Sequence, residues 1–99
     1  MANKLKVVAA CGVGMGSSLI LKMNVEDVLK ELDVPATVEH SDIGSLVGSN
    51  YDIVVVQTFY ADQVKNYGKV VVGVDDFFNK EKLKEKLQEA LKILGVIEE

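Results

Sequence analysis

Two runs of β-branched residues, Ile53-Val54-Val55-Val56 and Val70-Val71-Val72, constrain the fold of this chain more than any other feature. A strand with one wet face alternates apolar and polar residues. A strand that is apolar at every position is buried on both faces, which is the mark of a parallel sheet covered by other elements. Val7 to Ala10 reads the same way, whereas Thr37-Val38-Glu39-His40 alternates as an edge strand does. Between the strands lie helical patterns. About Ser18 to Leu32, the residues Leu21, Val25, Val28 and Leu32 fall at spacings of three and four, forming one apolar stripe. Near the end, Asn79 is placed to cap a helix lined by Leu83, Leu87, Leu91 and Leu94. Two weaker segments, Ile43 to Val47 and Ala61 to Tyr67, are predicted to supply the remaining crossovers. Right-handed connections then predict a four-stranded parallel sheet of order 2-1-3-4 in a three-layer α/β/α sandwich of Rossmann-like type.

Composition excludes several alternatives. Ninety-nine residues suit a single domain, expected to span residues 1–99. No apolar run approaches the roughly 20 residues that a membrane-spanning helix needs, and no secretory signal is visible. A soluble, cytoplasmic protein is expected. The net charge of −4 argues against a nucleic-acid partner, which would call for a basic footprint. A single cysteine forms no internal disulfide, so its thiol is either core filler or chemically employed.

Its setting favours employment. Cys11 follows the first strand and opens the run Gly12-Val13-Gly14-Met15-Gly16-Ser17-Ser18, which leads into the first helix. Glycines there leave room for successive N–H groups to turn inward around an anion. The start of a helix adds unpaired N–H groups and the positive end of the helix dipole. Residues Gly12 to Ser18 are therefore expected to form a phosphate-binding loop, with the hydroxyls of Ser17 and Ser18 as further donors. Such surroundings favour the thiolate, the reactive form of cysteine. Strand order reverses beside strand one, and ligands of open α/β sheets bind at that switch point.

A thiolate in a phosphate cup points to a phosphocysteine, formed either by a hydrolase or by a carrier. Phosphatases of the low-molecular-weight tyrosine type carry Cys, five residues, then Arg and Ser or Thr, the arginine clamping the phosphate. After five intervening residues from Cys11 the chain has Ser17, and it contains no arginine at all. The hydrolase reading is thereby disfavoured. The run Cys11 to Ser18 followed by Lys22-Met23 resembles the IIB component of bacterial sugar phosphotransferase systems, and most closely its ascorbate-specific branch within the lactose/ascorbate type. The resemblance extends through the β-α rhythm and the strand at residues 70 to 74. It implies a phosphotransferase in which Cys11 accepts a phosphoryl group from a phosphohistidine of the IIA protein. The group then passes to a sugar, L-ascorbate by this likeness, held by the IIC membrane permease. Lactose and mannitol branches carry related loops. No cofactor or metal is expected, and the isolated chain is expected to be monomeric.

Other residues have plainer readings beside the functional ones. The three glycines imitate a dinucleotide fingerprint, but their spacing is G-x-G-x-G. His40, the only histidine, reads as a solvated residue ending an edge strand rather than a proton shuttle. Asp75 and Asp76, Thr58, Phe59 and Tyr60 leave strands at the edge that bears the thiol. Thr58 reads equally as a phosphate contact or as ordinary packing, the aromatics as a partner contact or as packing, and Asp75 and Asp76 as acid or partner contact or simply as loop solvation and helix entry. Lys22 serves either anion attraction or the helix surface.

Overall fold

The computed structural model of the protein describes residues 4–12, 15–76 and 78–96. Its elements are β1 (Leu5–Cys11), α1 (Met15–Glu31), β2 (Ala36–Asp42), β3 (Tyr51–Gln57), β4 (Gly68–Val74) and α2 (Lys80–Leu94). Short 3-10 turns occupy Ile43–Leu46, Thr58–Tyr60 and Asp62–Val64. The four strands form one parallel sheet of order β2-β1-β3-β4. The continuous apolar runs are buried as their pattern requires: Val7 to Ala10 and Ile53 to Val56 are wholly inaccessible.

The two faces of the sheet are covered differently. Val7, Ala9, Val38, Ile53, Val55, Val72 and Val74 pack against α1 and α2, which contribute Leu21, Val25, Val28, Leu29, Leu83, Leu87, Ala90 and Leu91. The opposite face, Val8, Ala10, Val54 and Val56, is closed by Ile43, Leu46 and Val64, with Tyr51, Tyr60 and Tyr67 half-buried around them. Both α-helices thus share one side. The crossovers from Ile43 and Ala61 run on the other as 3-10 turns, because the stretches 43–50 and 58–67 are too short to hold a full crossover helix.

Local signals fix the ends of the long helices. Asn79 Oδ1 accepts from the Lys82 N–H at 3.1 Å, capping α2. At the far end Gly95 takes a left-handed φ of 77°, and the N–H groups of Gly95 and Val96 return to the Lys92 and Leu91 carbonyls. The first helix begins earlier than its apolar stripe implied. Met15 to Ser17 add no apolar period and Gly16 has low helix propensity, so the stripe gave no sign of the opening turn.

Candidate functional site

Cys11 is the last residue of β1, a strand flanked by β2 on one side and β3 on the other. It therefore stands at the carboxyl edge of the sheet, at the point where strand order reverses. The residue is 4 % exposed, and its register partner on β2 is Asp42. With α1 starting at Met15, the chain passes from nucleophile candidate to helix across Gly12 and two further positions. Val13 and Gly14 lie outside the described residues, as do the side chains of Met15 and Ser17.

The expected loop Gly12 to Ser18 is corrected in one respect. Met15, Gly16, Ser17 and Ser18 belong to the first turn of α1. N–H groups of an opening helical turn find no carbonyl within their own helix, and they sit at the positive end of its dipole. An anion at such a place would meet a helix terminus as well as a loop. Among the described glycines only Gly48 and Gly95 adopt positive φ. Gly12 does not, so a left-handed φ is not the reason for glycine there. A Cβ on Gly12 would lie 2.4 Å from the ring carbon Cζ of Tyr60 and 2.5 Å from its hydroxyl.

Ser18 is completely buried, and its Oγ lies 3.5 Å from His40 Nδ1. His40 itself is half-buried on β2, paired in register with Ala9. The expectation of a solvated residue is corrected: the register turns the ring toward the helix-covered face, where α1 lies over it. The sequence carried no signal for this contact.

The other residues at this edge are distributed as follows. Thr58 packs on β4, where a Cβ at Gly73 would meet its Oγ1 at 3.1 Å. Asp76 organises the approach to α2, accepting from the Phe78 N–H at 3.0 Å. Asp75 and Asp76 line a cavity of about 240 Å³ with Val74, Lys82, Glu85 and Lys86, and Lys86 donates to the Gly73 carbonyl. Beside the Cys11 turn a separate cleft of about 270 Å³ is lined by Gly12, Asp42, Ile43, Gly44, Val47, Tyr60, Gln63 and Tyr67. Phe59 is widely exposed and meets the Tyr60 ring edge to face, with centroids 5.0 Å apart. Among the described residues no helix is long and apolar enough to cross a membrane.

Residues 6–89 match the family described as the lactose/cellobiose-specific IIB subunit of the phosphotransferase system. The chain belongs to this IIB family. It is a phosphotransferase of a sugar phosphotransferase system. Among relatives of the IIB chain, the ascorbate-specific EIIB component of Mycoplasma pneumoniae is 34% identical over 95 residues, covering 92% of this chain and all of that one. The protein of the same name from Salmonella typhimurium is 33% identical over 91 residues, covering 89% and 90% of the two chains. The lactose-specific IIB component domain of Streptococcus pneumoniae superposes on the IIB chain with a TM-score of 0.60 at 19% identity, covering 91% of this chain and 97% of that one. That likeness concerns the fold.

Proposed function

We propose that this IIB protein carries a phosphoryl group on Cys11 between a phosphohistidine of IIA and a sugar held by the IIC permease. The Cys11 thiolate attacks phosphorus, the S–P bond forms, the P–N bond breaks, and the leaving imidazole takes up a proton. In the second step a sugar hydroxyl attacks the same phosphorus. The O–P bond forms as S–P breaks, the hydroxyl proton leaves to solvent, and the thiolate is regenerated. Gly12, Val13, Gly14, Met15, Gly16, Ser17 and Ser18 are the segment assigned to holding the phosphoryl oxygens.

The position of the chain's only cysteine, last in β1 and directly ahead of the α1 terminus, carries this reading. A helix terminus presents fixed N–H groups to a charge that moves through the site, and such preorganised donors stabilise transferring phosphoryl groups. The lack of any arginine removes the bidentate clamp used for rapid hydrolysis, which favours transfer to a second acceptor over release to water. The names of the relatives favour L-ascorbate as the sugar. The carrier is proposed to act as one cytoplasmic domain of residues 1–99, monomeric when isolated.

The test is sugar phosphorylation with phosphorylated IIA and membranes carrying the IIC permease. L-Ascorbate should be phosphorylated in preference to lactose or cellobiose, and Cys11→Ser should abolish the reaction. Equal phosphorylation of lactose would remove the substrate assignment, and full activity of Cys11→Ser would remove the carrier.

A further inference from the structure

We propose that Tyr60 is the positioning residue that fixes the Gly12 end of the Cys11 turn, and that this ring is why position 12 is glycine. The proposal rests on the reading of Cys11 as phosphoryl acceptor. Three observations carry it. Gly12 has an ordinary φ and an exposed backbone, so neither left-handed geometry nor core packing requires glycine. Yet a Cβ there would stand 2.4, 2.5 and 2.8 Å from Cζ, Oη and Cε2 of Tyr60, closer than carbon atoms can approach. Tyr60, finally, is anchored where it can act: it ends the 3-10 turn that directly follows β3, the neighbour of β1, and packs on the core that includes Val8 and Ala10.

The ring thus spans the gap between two adjacent strand ends and lies against the residue bonded to Cys11. Held in this way, the peptide group linking Cys11 to Gly12 keeps one orientation. Phosphoryl transfer depends on such orientation, since misplacing a reacting group by about 1 Å costs roughly a hundredfold in rate. A flat aromatic wall suits this task, being stiff and able to cover a glycine without filling the adjoining cleft.

The test is an exchange of size between the two positions, using the full chain and two readouts. One is the rate at which phosphorylated IIA labels Cys11. The other is the rate of Cys11 alkylation by iodoacetamide at pH 7, which needs no partner. Tyr60→Ala and Gly12→Ala should each slow labelling by about tenfold or more and alter alkylation measurably, at temperatures where each variant remains folded. The double variant should be no slower than the worse single one, because the added methyl then enters space the ring has left. Tyr60→Phe should stay within about twofold of the wild type, since the ring and not the hydroxyl does the positioning. Multiplying effects in the double variant would overturn the proposal, as would a Phe variant as impaired as Ala, or a Tyr60→Ala protein equal to wild type in both readouts. If wild-type protein took no label from IIA, the carrier reading would fail separately, and alkylation would still decide the role of Tyr60.

Discussion

Ser18 Oγ and His40 Nδ1 stand 3.5 Å apart, joining the opening turn of α1 to β2 across 22 positions of sequence. The contact is long, but it is made by a wholly buried hydroxyl in the helical turn that follows the Cys11 strand. It ties the helix terminus sideways to the sheet. His40→Ala is therefore expected to lower stability by about 0.5–1.5 kcal/mol, the usual worth of one hydrogen bond. Urea unfolding measures this loss, and labelling of Cys11 by phosphorylated IIA should slow in parallel. A variant as stable as wild type, with unchanged labelling, would show that the helix terminus needs no such tie.

Gly68 opens β4 beside β3, and a Cβ there would fall 2.6 Å from the Val54 Cγ2 methyl and 3.4 Å from the Tyr51 carbonyl oxygen. Val54 is fully buried and β-branched, so it has no free rotamer to give way. Gly68→Ala should destabilise by roughly 1–3 kcal/mol, as overpacking of a core commonly does. Chemical denaturation is the measurement. Because the position lies at the amino edge of the sheet, away from Cys11, labelling by IIA should stay unchanged at temperatures where the variant remains folded.

The strands were legible because Ile53 to Val56 and Val70 to Val72 are apolar at successive positions, and only a sheet buried on both faces accounts for that. Strand order followed from connection rules, and the last helix from Asn79 and its leucines. The crossovers at Ile43 and Ala61 were located, but their 3-10 form was not, since so few residues cannot display a 3.6-residue period. The place of Cys11 between a strand and a helix was legible from the apolar run before it and the apolar stripe after it. The His40 contact and the Tyr60 ring over Gly12 were not. Both depend on the register of β1 against its neighbours and on the packing of elements distant in sequence, neither of which leaves a local pattern.

Tyr51 gives a pH signature. Its hydroxyl donates to Glu39 Oε1 at 2.9 Å, and burial first, then the Glu39 carboxylate, hold its pKa above the ordinary tyrosine range. The folded state thus keeps this proton longer than the unfolded chain does, so stability falls as pH rises through the alkaline range. The contribution is fully present below about pH 10 and is lost as pH passes the folded-state value. Tyr51→Phe should flatten the alkaline part of the stability profile relative to wild type. Thermal unfolding of both proteins between pH 8 and pH 11 measures it, and superimposable profiles would contradict the assignment.

The carrier account is tested most directly by trapping the modified protein. Purified protein is incubated with phosphorylated IIA, and its intact mass and the site of modification are read by mass spectrometry without acid treatment. The account predicts one phosphoryl group, located on Cys11, which disappears when IIC membranes and L-ascorbate are added and never forms on Cys11→Ser. A phosphoryl group on any other residue, or none on Cys11 while sugar phosphorylation proceeds, would contradict it.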